Sequence, residues 1–413
     1  MFAVTIPESH RHDDVLAIMK VFWFSSALYV IANIAGFIAG SPFDRELKME
    51  LAWEGWTADA KLIVCYVSRG QNSDALGRAV FKTRFVLEEL GVPYEIETVT
   101  DEPIAIPGCT SYVVPTEYQT VRGAKYKARA LHYAAEQRTV GKNTWVLHMD
   151  EESVLSPYAV YGVHDFIVRG DMLRIGQGEI KYNSYQYGAN PLITAIDAVR
   201  TGDDLGRFRL QYRLLKRPVF GMHGSFFVVH SAVEHKIGFD LGGKGSITED
   251  AYFALIASSR GVKFEWVDGY VSEQSPFTIL DLLKQRRRWI AGLRLLVMDT
   301  AIPFRQRWVM LASIVLCHFA WLSPIVTVWN VVSGGAYVPE QVAIAAALMS
   351  GIIYAVYLLG AYRNVVGINM PFKEQLKVWA MTGALVPISS LVESIAIIYS
   401  IVRPVKTFEV VSK

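Results

Sequence analysis

An α/β domain with a mainly parallel sheet covered by helices on both faces, set between membrane-spanning helices, is the fold class this sequence predicts. Apolar strand-like runs alternate with helical periodicity from Ala58 to Phe304, the order that produces a parallel sheet. Four apolar stretches outside that region each approach the ~20 residues a bilayer-crossing helix needs. Of the 413 residues 52% are hydrophobic and only 19% charged, which is apolar for a soluble chain.

The first apolar stretch, Val21 to Ala39, holds no charged residue, and Glu8, Asp13 and Asp14 stand before it in place of a short basic region. That makes a poor cleavable signal and predicts a retained anchor over about 15–39, within an N-terminal region 1–57. The central domain, 58–304, opens on "KLIVCYV", Lys61 to Val67, and continues with buried strands at Tyr94 to Val99, Thr144 to Met149 and Phe226 to His230. Between them "SDALGRAVFKTRFVLEELG" has a Ser start and a Gly91 stop, and "AKYKARALHYAAEQ" is a second strong helix former. Parallel sheets bind ligands at the carboxyl ends of their strands. Here those positions are Ser68 to Asn72, Asp101, and Asp150 to Glu152. Near 277–300, "FTILDLLKQRRRWIAGLRLL" mixes apolar and basic residues as a helix lying at a bilayer surface does. The region 305–413 contains three spans, Trp308 to Val332, Val342 to Tyr362, and Val378 to Val402, the last interrupted only by Glu393. A carboxylate at that depth is costly unless it pairs within the helix bundle or lines an acceptor path.

A net charge of +2 with scattered basic residues gives no footprint for nucleic acid. Cys65, Cys109 and Cys317 lie far apart without CxxC spacing, which indicates neither a disulfide framework nor a zinc site. "GFDLGGKG", Gly238 to Gly245, is no phosphate loop, because Gly245 stands where Ser or Thr must follow the lysine. It reads as a flexible glycine-rich loop. "GQGEI", from Gly176, is likewise no dinucleotide fingerprint.

Three motifs carry chemistry, and each has a plainer alternative. In "HMDEES", Asp150 and Glu152 after a strand suit either a solvated helix start or a hard-oxygen site for Mg²⁺ or Mn²⁺ facing a diphosphate. In "GSITEDAYF", Ser246 and Glu249 have capping-box spacing, while Asp250 suits a general base. In "KQRRRW", Gln285, Arg288 and Trp289 share one helix face and Arg286 and Arg287 turn away from it. The stretch is either a basic collar for a membrane helix or two functions in one. In the second case Arg288 clamps a phosphate and Trp289 stacks on a sugar, while Arg286 and Arg287 meet lipid headgroups.

In this order the motifs resemble the inverting glycosyltransferases of family 2, and among them the egghead-type β-1,4-mannosyltransferases. The likeness is carried by "GAKYKARALHYAAE", "WVLHMDEE", "TGDDLGRFRLQYRLLKRPVF", "GSITEDAYFALIA" and "SPFTILDLLKQRRRWIAGL" and spans most of the chain. The resemblance implies a GT-A catalytic domain. It assigns Arg69 and Asp101 to the donor nucleotide, Lys127 and Arg288 to the diphosphate, and Asp150 and Glu152 to Mn²⁺ or Mg²⁺. Asp250 matches the base, and Glu249, Gln285 and Trp289 the acceptor site. After the first strand this chain reads "SRGQN", without the acidic residue that follows Arg-Gly in the resembled proteins.

The activity implied by the resemblance is that of an integral membrane enzyme that displaces a nucleoside diphosphate directly, so that an α-linked donor gives a β-linked product. Residue spacing leaves GDP-mannose and UDP-sugars both open; the resemblance favours GDP-mannose and a lipid-linked acceptor in contact with membrane lipid. Arg305 and Arg307 before the second span, and Arg363, Lys373 and Lys377 between the third and fourth, place the catalytic domain in the cytosol, while Arg403, Lys406 and Lys413 count the other way. A processive UDP-sugar-dependent polysaccharide synthase shares every motif but needs a channel, for which four spans are few. A non-enzymatic transporter or scaffold explains the spans and not the motifs.

Overall fold

The computed structural model describes residues 11–39, 45–334, 338–366 and 368–405. Glu8, which stands before the expected anchor, and Lys406 and Lys413, which count against a cytosolic domain, lie outside these residues. The chain starts with α1 (Arg11–Met19), a 3₁₀ segment (Lys20–Ser26), α2 (Ala27–Ile38) and α3 (Arg45–Leu51). The sheet region then runs β1 (Lys61–Ser68), α4 (Ser73–Glu89), β2 (Tyr94–Thr100), β3 (Thr110–Val113), α5 (Tyr126–Gln137), β4 (Thr144–Asp150) and β5 (Val154–Leu155). It continues with α6 (Pro157–Val168), β6 (Arg174–Lys181) and α7 (Pro191–Asp203), which passes into π-helical segments Asp204–Phe208 and Leu210–Leu215. Next come β7 (Phe227–His230), α8 (Ser231–Ile237), α9 (Gly242–Gly245), α10 (Glu249–Ser259), β8 (Lys263–Ser272) and α11 (Ile279–Val297). The chain ends in α12 (Phe304–Ala320), α13 (Leu322–Val332), α14 (Glu340–Val365) and α15 (Phe372–Val402). Among the described residues four helical stretches are long and apolar enough to cross a membrane: Val15–Ile38, Phe304–Val332, Glu340–Val365 and Phe372–Val402.

The eight strands form one sheet in the order β3-β2-β1-β4-β7-β6-β8-β5. The β1–β2, β1–β4, β2–β3 and β6–β8 pairs are parallel, whereas β7 runs antiparallel to both β4 and β6, and β5 antiparallel to β8. Alternation along β1 builds the two core layers: Ile63, Cys65 and Val67 enter one cluster and Leu62, Val64 and Tyr66 the other. Four strands lack the apolar run that exposed the rest. In β6 all eight residues of "RIGQGEIK" are buried despite Arg174, Gln177, Glu179 and Lys181. Distant partners make this possible. Glu179 meets Arg363 of α14 at 2.7 Å, Lys181 meets Glu46 of α3 at 3.6 Å, and Gln177 donates to the Ser225 carbonyl at 3.3 Å.

Three local expectations differ. The glycine-rich segment contains the short helix α9. Ser246 does not cap α10: its hydroxyl donates to the Gly242 carbonyl at 2.6 Å and accepts from the Lys125 amide at 2.9 Å, and Thr248 is the residue before the helix. Nearby backbone groups outcompete the capping geometry. Asn72, not Ser73, precedes α4, while Gly91 ends that segment with φ of +63°, as its lack of a Cβ permits.

Membrane helices clasp the region after β6. A Cβ at Gly360 of α14 would lie 1.7 Å from the Ala198 carbonyl oxygen of α7, and one at Gly36 of α2 would lie 1.8 Å from the Gly206 carbonyl oxygen in the first π-helical segment. Contact between helix backbones at small residues is the usual way membrane helices approach closely. Gly360→Val is therefore expected to force α7 and α14 apart at a cost of about 1–3 kcal/mol or more. The check is the melting temperature in detergent, and a value equal to the wild type would count against this packing.

Candidate active site

The sheet's carboxyl edge opens into a cavity of about 340 Å³. Its walls include Arg69, Asp101, Lys127, Asp150, Glu152, Glu249, Asp250, Gln285, Arg288 and Trp289, so every site residue expected from the sequence reaches the same space. β1 delivers Ser68 and Arg69, β2 is followed by Asp101, and β4 ends in Asp150. Asp101 is tied to Arg129 of α5 at 2.6 Å. Glu151 turns to the loop after β1, accepting from Asn72 at 2.5 Å and from Ser68, so the altered "SRGQN" segment is bound to the acidic motif.

Lys127 lies at the centre. Its Nζ is 2.5 Å from Asp150 Oδ1 and 3.4 Å from Glu249 Oε1, and it donates to the Gly224 carbonyl at 3.3 Å. Nearby carboxylates outweigh burial and hold the ammonium well above its ordinary pKa. Gly224 leaves room for this cluster: a Cβ there would lie 2.8 Å from Lys127 Nζ and 3.2 Å from Asp250 Oδ2. Tyr126, beside Lys127, takes φ of +55°, and Phe226, beside the wall residue Ser225, takes +52°. Strained backbone of this kind collects at functional sites.

Asp250 is pushed up to about 7, first by burial and then by the adjacent Glu249 charge, against the pull of Lys127. Glu273, one residue beyond β8, is likewise raised to about 7 by burial and by Asp150. It was missed in the sequence, although an acid directly after a strand is the same signal that exposed Asp150. Asp150, Glu152 and Glu273 bring carboxylate oxygens within 4.8 Å of one another. Three hard oxygen donors suit Mg²⁺ or Mn²⁺ and no soft metal. Arg200 and Arg207, also on the walls, have no strand-end signal in the sequence, because α7 and the π-helical turn place them there.

α11 begins with Thr278 accepting from the Asp281 amide at 3.1 Å and donating to its carboxylate at 2.8 Å. The helix turns Gln285, Arg288 and Trp289 to the cavity. Arg286 and Arg287, expected at lipid headgroups, are instead 5% and 6% exposed. Arg286 pairs with Asp197 of α7 at 2.6 Å and with Glu393 of α15 at 2.9 Å, and Arg287 lies 4.4 Å over the Tyr399 ring. Packing against α7 and α15 thus covers both guanidinium groups, and Glu393 has its partner inside the bundle.

Residues 145–370 match the profile described as "Glycosyl transferase family group 2". The chain is 31% identical over 356 residues to Beta-1,4-mannosyltransferase egh of Drosophila melanogaster, covering 84% of this chain and 77% of that one. Beta-1,4-mannosyltransferase bre-3 of Caenorhabditis elegans is 37% identical over 230 residues, 54% of this chain and 49% of its own length. A solved mannosyltransferase from Pyrobaculum calidifontis, in complex with GDP-Man and Mn²⁺, aligns with 89% of this chain and 99% of its own at 14% identity and a TM-score of 0.44. A profile match over more than half of the chain, together with a relative above 30% identity along most of its length, shows that this chain belongs to glycosyl transferase family group 2.

Proposed function

We propose that this glycosyltransferase moves mannose from GDP-mannose to a lipid-linked acceptor on the cytosolic side of a membrane, forming a β-linkage by single displacement. The observation that carries the reaction class is the convergence of Asp250, Lys127, Arg288 and the three carboxylates Asp150, Glu152 and Glu273 on one cavity. Carboxylates outnumber Lys and Arg around that cavity, so an anionic donor needs added positive charge. Mn²⁺ or Mg²⁺ held by Asp150, Glu152 and Glu273 would supply it, neutralising the diphosphate as it leaves. Lys127 and Arg288 stabilise the same developing charge. Asp250 takes the proton of the attacking hydroxyl. Arg69 and Asp101 hold the nucleotide, and Glu249, Gln285 and Trp289 the acceptor.

The donor assignment leans on the relatives, two of them named as β-1,4-mannosyltransferases. The lipid-linked acceptor leans on how the membrane helices clasp α7 and the π-helical turn, whose Arg200, Arg207 and Phe208 line the cavity. For the orientation, Arg363 at the end of α14 meets Glu179 of β6, which sets the α14–α15 loop on the same side as the sheet. The test is purified protein in detergent with Mn²⁺ or Mg²⁺, a panel of nucleotide sugars, and glycolipid or soluble sugar acceptors. The expected result is GDP release from GDP-mannose that glycolipid stimulates more than soluble sugar. UDP release without response to GDP-mannose would replace the donor and leave the reaction class; polymeric product would favour a processive synthase.

A further inference from the structure

Arg286 does not line the cavity, yet it touches two residues of its own helix that do. Its Nη1 donates to Gln285 Oε1 at 2.9 Å, and its guanidinium carbon lies 4.7 Å from the centre of the Trp289 ring. Two other donors reach residues that do not line the cavity, Nη2 to Asp197 Oδ1 at 2.6 Å and Nε to Glu393 Oε1 at 2.9 Å. The planar fork is thus fixed by one acid from α7 and one from the last membrane helix.

This arrangement orients an amide. A guanidinium has only donors, so the Gln285 oxygen must face it, and the Gln285 amide nitrogen is left for the cavity. Trp289 is held in the same way from a second side chain, Arg200 of α7, whose guanidinium carbon is 4.5 Å from the Trp289 ring centre and 3.7 Å from that of Tyr182. Asp197 and Arg200, three residues apart on α7, therefore support the same pair of cavity residues as Glu393.

We propose that Arg286, anchored by Asp197 and by Glu393 of membrane helix α15, is a positioning residue that fixes Gln285 as a hydrogen-bond donor to the acceptor and sets the plane of Trp289. The inference rests on the acceptor role proposed for Gln285 and Trp289. It makes α15 part of the acceptor site without touching the acceptor. A shift of α15 against α7 then changes acceptor binding and leaves the donor side alone.

Two variants test it. Glu393→Gln keeps a hydrogen-bond acceptor for Arg286 and removes the charge that anchors it. Arg286→Lys keeps a cation between Asp197 and Glu393 and removes the fork that reaches Gln285. Losing a hydrogen bond that involves a charged group corresponds to about 10–100-fold in binding. The acceptor KM is accordingly expected to rise about 10-fold in Glu393→Gln and up to about 100-fold in Arg286→Lys. Acceptor-independent hydrolysis of the nucleotide sugar and the donor KM should stay near wild type. Adding Gln285→Ala to Arg286→Lys should raise the acceptor KM no further, because both act through one contact. An unchanged acceptor KM in both variants overturns the inference, as does a parallel fall of hydrolysis and transfer, which marks a merely structural ion pair. If the wild-type chain transfers no sugar from any nucleotide donor, the functional reading fails and takes this inference with it; wild-type transfer with insensitive variants overturns this inference alone.

Discussion

Asp250→Asn is expected to lower sugar transfer by about 10³-fold, within the range a positioned general base contributes, while GDP still binds. Asn keeps the shape and can accept from the Ala251 amide as Asp250 Oδ1 does at 2.7 Å, but it cannot take a proton. Burial and Glu249 raise the carboxyl to about 7, so a base at Asp250 would be mostly ionised only above that pH in the free enzyme. Its kcat/KM should climb as pH rises through about 7, and the variant's residual rate should show no such limb. Stability moves the other way. Between the ordinary carboxylate value of 3.8 and about 7 the native state keeps a proton that the unfolded chain releases, so stability falls as pH rises across that window. The Asn variant escapes this cost, and its melting temperature at pH 8 should be no lower than the wild type. Near-normal turnover in the variant would remove Asp250 from the base role.

The second large effect belongs to the carboxylate trio. Asp150→Asn is expected to weaken GDP binding with Mn²⁺ present on the order of 100-fold, about 2.7 kcal/mol, since even an outer-shell partner of a metal site is worth 10–100-fold. A chelator should bring the wild type to the same weak affinity and change the variant little. Glu273→Gln should behave similarly if its oxygen shares the ion with Asp150 and Glu152, whose carboxylates are within reach of it. Titration calorimetry showing unchanged affinity in both variants would separate this cluster from any metal.

These effects depend on residues of unequal visibility in the sequence. Asp150 was legible because "TWVLHM" is a continuous apolar run and an acid follows it. Glu273 follows β8, "KFEWVDGYVS", whose polar residues hide the strand. The acids meet because β8 pairs with β6 and with β5 after Asp150, contacts between segments far apart in the chain. No local pattern specifies such pairing. The same holds for Arg286: its place on the α11 face opposite the cavity followed from helical periodicity, but lipid or protein on that side could be known only once α7 and α15 were packed there.

The sequence by itself determined the elements whose signals are local. Apolar runs marked β1, β2, β4 and β7, helical periodicity marked α4, α5 and α11, and four apolar stretches marked the membrane helices, because burial of a strand or span is written in consecutive residues. Motif order also determined the family, and the motif residues at strand ends reached one cavity because a parallel sheet gathers its carboxyl ends. Tertiary structure alone decided the antiparallel course of β7, the burial of β6 through Glu179–Arg363 and Lys181–Glu46, and the entry of Glu273 and Arg200 into the site. Each depends on a partner far away in the chain, and a charged residue looks solvent-facing in sequence until the partner that makes its burial tolerable is in place.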